Sequence, residues 1–233
     1  IDAGARDRHF TFDSGEDSTY QIIGLTLYNG KSDVAGSILI TNRSRPMFKQ
    51  VIFKNNINYA DDWENGGAVR INWATGLFYD CIFDGNISDR TQSSNNNAAQ
   101  GGAIWNNGHY SGDAVTRIVR CTFKNNVAKS NRDANGGAIY SSVSPIHIIN
   151  SLFYNNTAHA NYEASSETWT ASGGALQVGD FRSYDGGESV ESEARIINCT
   201  IANNNVLSDN SSGSTYAAGI YTWGSSEQKL YAF

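Results

Sequence analysis

Proline is almost missing from this chain of 233 residues, which has only Pro46 and Pro145, and cysteine is scarce at three. Basic residues are outnumbered, 17 Lys and Arg against 23 Asp and Glu, giving a formal charge of -6 and a pI near 5.1. Without a basic footprint, the chain is not read as a partner of nucleic acid. No run approaches the roughly 18–20 apolar residues of a membrane helix, so no membrane span is expected in this segment. No stretch of about ten residues keeps an apolar i, i+3, i+4 rhythm, so no helix is expected. Ile1-Asp2-Ala3-Gly4 is not a charged leader before an apolar core, and it is not read as a signal peptide.

What is abundant is glycine, asparagine, serine and isoleucine. Gly and Asn turns between β-branched runs point to an all-β chain of many short strands, and the length suits one sizeable domain, residues 1–233. The decisive signal is internal repetition. Gly66-Gly67-Ala68-Val69 recurs as Gly101-Gly102-Ala103-Ile104, Gly136-Gly137-Ala138-Ile139 and Gly173-Gly174-Ala175-Leu176. Looser copies stand at Ala35-Gly36-Ser37-Ile38 and Ala217-Ala218-Gly219-Ile220. A second motif alternates with it: Val51-Ile52-Phe53-Lys54-Asn55-Asn56, Cys81-Ile82-Phe83-Asp84-Gly85-Asn86 and Cys121-Thr122-Phe123-Lys124-Asn125-Asn126. It continues as Ser151-Leu152-Phe153-Tyr154-Asn155-Asn156 and Cys199-Thr200-Ile201-Ala202-Asn203-Asn204.

The spacing identifies the architecture. From Ile38 the steps to Val69, Ile104, Ile139, Leu176 and Ile220 are 31, 35, 35, 37 and 44 residues. A drifting period with intact motifs places the length variation in loops between fixed strands. That is the behaviour of a β-solenoid, whose strands pair with their copies one coil away while the turns bulge outward. Spaced leucines are missing for a leucine-rich repeat, and the shortest repeat is too short for a propeller blade. The expectation is a right-handed parallel β-helix of about six coils, about 30 Å long at about 4.8 Å per coil.

In such a stack like residues lie on like. Phe53, Phe83, Phe123, Phe153 and Ile201 form an inward column, and Val51, Cys81, Cys121, Ser151 and Cys199 share its face two residues upstream. A column that accepts valine and serine, with an odd number of thiols, makes the cysteines small buried hydrophobes, not disulfides or metal ligands. Asn56, Asn86, Asn126, Asn156 and Asn204 are expected at a turn, tolerating left-handed backbone while their amides bond from coil to coil. The Gly-Gly pairs mark the opposite bend, and no Lys-Ser/Thr follows them as a phosphate loop would require.

Outward positions carry the candidate sites. Leu39, Arg70, Trp105, Tyr140, Gln177 and Tyr221 form one column, and Arg70, Trp105, Tyr140 and Tyr221 are its candidate binding residues for sugar rings or a protein. The structural alternative is a cover of aromatics on an exposed sheet. Trp63, Trp73, Trp169 and Trp223 fall in or near loops. No cofactor is required, but calcium could bind flexible acidic loops: Asp61, Asp62 and Glu64 are the candidate ligands, with Asp180, Asp185, Glu188, Glu191 and Glu193 as a second cluster. Neither follows an ordered calcium-loop pattern, and solvated acidic loops are the simpler reading. His9, His109, His147 and His159 are scattered without a nucleophile, and His147 takes the exposed strand position that Arg117 and Arg195 hold in other coils. Asn-X-Ser/Thr triplets occur at Asn42, Asn86, Asn155, Asn198 and Asn210, as expected in a chain this rich in Asn and Ser.

The alternating Gly-Gly-Ala-Ile and Phe-X-X-Asn motifs resemble the repeat of the chlamydial polymorphic outer-membrane proteins, and of large secreted bacterial and archaeal adhesin-like proteins. Ile1-Asp2-Ala3-Gly4 and the stretch from Ile22 to Gly30 are similar to phrases that open such regions. The resemblance implies a surface-exposed passenger region with a role in adhesion, and partners among glycans or proteins of a host or neighbouring cell. The leading expectation is therefore a non-enzymatic extracellular or cell-surface segment, an adhesin or structural stalk. The same solenoid carries lyase and glycosidase chemistry elsewhere. A polysaccharide lyase, a glycoside hydrolase or a carbohydrate-binding β-helix is thus the alternative, with Arg70, Asp80 and the Asp61 to Glu64 loop as its nearest approach to a catalytic set. Phe10 and Phe12 already read as a strand, and the chain stops inside another coil. Further coils, domains or subunits are expected at both ends.

Overall fold

The computed structural model describes all residues except 60–64, 94–96, 109–114, 162–168, 180–192, 210–212, 224–228 and 233. Among the described residues there is no helix; every element is a strand of two to five residues, and every strand pairing is parallel. The chain winds as a right-handed parallel β-helix. A first sheet stacks seven strands that begin with Phe10–Phe12 and end with Ile220–Trp223, and a second stacks seven from Gln21–Ile23 to Lys229–Ala232. A third stacks six from Thr26–Tyr28 to Thr200–Ala202, and a fourth six from Lys31–Ser32 to Asn205–Ser208. A fifth, four-stranded sheet joins Ala99–Gln100, Ala134–Asn135, Thr170–Ser172 and Ser214–Tyr216.

Register follows the motifs. Phe83 pairs with Phe53 on one side and Phe123 on the other, and Phe123 with Phe153. Their rings stack 4.6, 4.5 and 4.8 Å apart and are fully buried. Period-two alternation puts the outer residues of the same strands, such as Ile82 and Asp84, on the opposite face. A second inward column lies on the second sheet: Ile22, Phe48, Phe78, Ile118, Ile148 and Ile196 align, and Phe48 stacks on Phe78 at 5.0 Å.

The corners are built by backbone chemistry. Gly66, Gly101, Gly136 and Gly173 have φ of 98°, 64°, 66° and 61°, the left-handed region open to glycine. The second glycine is required for another reason: a Cβ on Gly102 would strike the carbonyl oxygen of Gly137 in the next coil. At the opposite corner the expectation for the asparagines needs correction. The left-handed residues are Asn55, Gly85, Asn125, Asn155 and Asn203, one position earlier than the stacked column. Asn56, Asn86, Asn126 and Asn156 are instead fully buried, and each donates its side-chain amide to the Oδ1 of the next, a ladder of 2.9 Å bonds that runs to Asn204.

Cys81, Cys121 and Cys199 are free thiols, the first two buried and Cys199 half-buried. They do more than fill space. The backbone N–H of Cys81 donates to Cys121 Sγ at 3.4 Å, that of Cys121 to Ser151 Oγ at 3.1 Å, and that of Ser151 to Cys199 Sγ at 3.5 Å. Serine and cysteine are interchangeable in this column because each offers an acceptor there.

Candidate binding face

The column Leu39, Arg70, Trp105, Tyr140, Gln177, Tyr221 is in register. It is not the open face expected from the alternation. Arg70, Trp105, Tyr140 and Gln177 are only 7, 5, 4 and 4% exposed. Trp105 packs under the Arg70 guanidinium, 4.5 Å from the ring, and donates its indole N–H to Gln100 Oε1 at 3.0 Å. Ser172 Oγ donates to Gln177 Oε1 at 2.6 Å. Gln100 and Ser172 end strands of the fifth sheet, just before the Gly-Gly corner, and bind the column around that bend. Burial lowers the Arg70 guanidinium to about 10, with a further contribution from Arg90, and raises the Tyr140 hydroxyl to about 12. Arg70, Trp105 and Tyr140 are therefore a packed polar layer, and of the four candidates Tyr221 alone is half-exposed, stacked on Tyr216 at 5.5 Å. The strands that hold Gln100 and Asn135 are two residues long, too short to show any alternation in sequence.

The other candidates are not brought together. Asp61, Asp62 and Glu64 lie outside the described residues, as do Trp63, His109 and all of the second acidic cluster except Glu193. Among the described residues no three His, Cys, Asp or Glu are placed to share a metal ion. Asp80 is held by Arg120 through two bonds of 2.7 and 2.9 Å, which keep its carboxyl below the usual carboxylate range, whereas Arg70 belongs to the first sheet. One pairing escaped the sequence reading: His9 Nδ1 lies 2.9 Å from Ser37 Oγ. Ser37 is fully buried, so this pair is a packing contact without access for a substrate. His159 Nε2 lies 2.9 Å from Asp209. Of the loop tryptophans, Trp73 is 48% exposed, while Trp169 lies under Arg132 at 4.6 Å. Asn86, in the buried ladder, is closed to glycosylation.

The outer residues of the second and third sheets are mostly half-buried to exposed. On the second sheet, pairing sets Arg117 against His147 and His147 against Arg195, and beside them runs an apolar strip of Val119, Ile149 and Ile197. A ridge of corner residues, Asp80, Arg120, Asn150 and Asn198, separates this strip from the outer residues of the third sheet, Ile82, Thr122 and Leu152. His147 is held below its ordinary pKa by burial, then by Arg117 and Arg195, with Glu193 opposing them.

No helix among the described residues is long and apolar enough to cross a membrane, which leaves strand-built membrane proteins untouched. Residues 120–142 match the family model described as Chlamydia polymorphic membrane protein (Chlamydia_PMP) repeat. That segment runs from the corner at Arg120 through Phe123, the Asn126 rung and Gly136-Gly137 to Ser142, so it contains one copy of each motif. No curated protein and no solved structure matches the chain. The chain thus carries a repeat of the chlamydial polymorphic membrane protein type, wound into a right-handed parallel β-helix.

Proposed function

We propose that this chain is a non-enzymatic segment of an extracellular, surface-displayed β-helix that serves as an adhesin or structural stalk. The observation that carries the reading is the match of residues 120–142 to a repeat named for a membrane protein, within a stack that repeats the same motifs coil after coil. A stack of this kind presents long, rigid columns of outward side chains, suited to contact along a surface or polymer. Its partners in this reading are glycans or proteins of a host or neighbouring cell. The enzymatic alternative draws no support from Arg70 and Asp80, which engage Trp105 and Arg120.

Antibodies raised against the purified chain test the reading on cells that carry the protein. Equal labelling of intact and permeabilised cells is expected, and labelling only after permeabilisation would overturn it. The reading needs no cofactor. A melting temperature lowered by EDTA and restored by Ca2+ would instead show a bound calcium, with Asp61, Asp62 and Glu64 as its candidate ligands.

A further inference from the structure

Charged columns on this helix mostly alternate in sign from one coil to the next. Asp80 meets Arg120 at 2.7 Å, Asp84 meets Lys124 at 3.3 Å, and Asp89 meets Lys129 at 2.9 Å. The alternation is what parallel in-register stacking demands, because like charges directly opposite one another destabilise a sheet. The outer column of the second sheet departs from it. Arg117, His147 and Arg195 stack in three successive coils, about 4.8 Å apart per coil. Glu193, on the same strand as Arg195, pairs with that guanidinium. Among the described residues no ion pair reaches Arg117, and the buried Nε2 of His147 has no hydrogen-bond partner. A chain with six more acidic than basic residues therefore lines up three bases in one row.

The two guanidinium groups stand two coils apart, with His147 adding a third cation between them once protonated, and this row fits a linear ligand that repeats its negative charges along the helix axis. The coil spacing is close to the length of one sugar ring in an extended polysaccharide. Guanidinium groups bind carboxylate and sulfate oxygens through a planar fork. The half-buried strip of Val119, Ile149 and Ile197 runs parallel to the row and offers apolar contact to ring faces. We propose that the Arg117–His147–Arg195 row binds a linear anionic glycan lying along the helix axis, with its carboxylate or sulfate groups on the two guanidinium groups. The proposal rests on the surface reading only in making a glycan the polymer encountered; the binding itself belongs to the purified chain. The groups that face His147 are Arg117, Arg195 and Glu193, and its lowered pKa leaves it neutral at pH 7 and charged as the pH falls. Binding therefore tightens as the pH falls below 6.5 and the ring takes up its proton.

The test is fluorescence anisotropy of labelled heparin, polygalacturonate and neutral dextran with the whole chain. Heparin, polygalacturonate or both should bind and dextran should not, and the difference between the two polyanions assigns sulfate or carboxylate as the preferred group. Affinity should fall as salt rises, as for any polyanion whose counterions are released. Arg117→Gln with Arg195→Gln should weaken binding at least tenfold, while Arg43→Gln with Arg45→Gln, which removes the same charge elsewhere, should leave it within twofold. Should the first pair misfold by circular dichroism, Arg117→Lys with Arg195→Lys keeps the charge, and a loss of threefold or more is expected from the missing forks. Equal losses from both glutamine pairs, or no polyanion binding, as when the chain's own carboxylates neutralise the row, would overturn the proposal. Either failure would leave the surface reading standing, because intact-cell labelling tests that separately.

Discussion

Asn126 Oδ1 accepts two bonds from Asn86, one from the side-chain amide at 2.9 Å and one from the backbone N–H at 3.0 Å. Asn126 in turn donates its own amide to the carbonyl of Phe83 at 3.0 Å and to Asn156 at 2.9 Å. One side chain thus satisfies polar groups of the coils on both sides of its own, in a fully buried place. Asn126→Ala would strand both donors of Asn86, each at about 1–3 kcal/mol, so a loss of about 3 kcal/mol is expected. Asn125→Gly, at the left-handed position that Gly85 fills one coil earlier, should stay within about 0.5 kcal/mol. Urea midpoints of the two variants make the comparison, and equal shifts would mean that the ladder contributes nothing special.

Phe123 lies between Phe83 and Phe153 with both rings nearly parallel to it, at 2° and 3°. Truncation to alanine opens a cavity in the middle of the stack, and about 3–5 kcal/mol should be lost. A loss below about 1 kcal/mol would show that the ring is not in a core.

Gly102 stands at the second place of its motif, and Gly219 at the third, where Ala103, Ala138 and Ala175 stand in other coils. A Cβ at Gly102 would strike the next coil's backbone, whereas at Gly219 its nearest neighbour is Ile201 Cγ2 at 3.7 Å, an ordinary contact. Gly102→Ala should therefore cost several kcal/mol, about 3 or more, and Gly219→Ala less than about 1. Thermal melts that rank the two in the opposite order would contradict the coil register.

The histidines set a pH dependence. His9 is held below its ordinary pKa mainly by burial, and His147 by burial and then by Arg117 and Arg195. The unfolded chain therefore binds protons more readily than the folded one in the window just below 6.5, and stability falls as the pH drops through it. His9→Gln with His147→Gln should flatten the fall in melting temperature between pH 7 and pH 5. An unchanged slope would show that neither imidazole is disfavoured as a cation.

The Cys column gives a chemical test. Cys121→Ser should be nearly neutral, since Ser151 makes the same bond one coil on. Cys121→Val would leave the N–H of Cys81 unpaired and should cost about 1–3 kcal/mol. Native mass spectrometry should find all three thiols reduced.

The spine and the coil register are legible in sequence because Phe and the second Asn keep a fixed spacing while the loops vary. The corner was legible but its left-handed residue was misplaced by one position, because only Gly85 marks it and in Asn-Asn pairs nothing distinguishes the turn residue from the ladder residue. The Phe48 and Phe78 column was not, since isoleucine replaces phenylalanine in four of its six places and no motif repeats. Alternation correctly turns Trp105 and Tyr140 away from the main core. What it cannot reveal is Gln100, reaching around a corner to cover them. The alignment of His147 with Arg117 and Arg195 is visible in the sequence, but the sign alternation that makes it unusual emerges only when neighbouring coils are set side by side.

The claim that this helix binds without catalysing is tested most directly on one purified sample, by glycan-array binding alongside an assay for newly formed reducing ends. Binding to anionic glycans with no release of reducing ends is the predicted result. Release of reducing ends from any bound polysaccharide, lost on substituting Asp80 or Arg70, would contradict it.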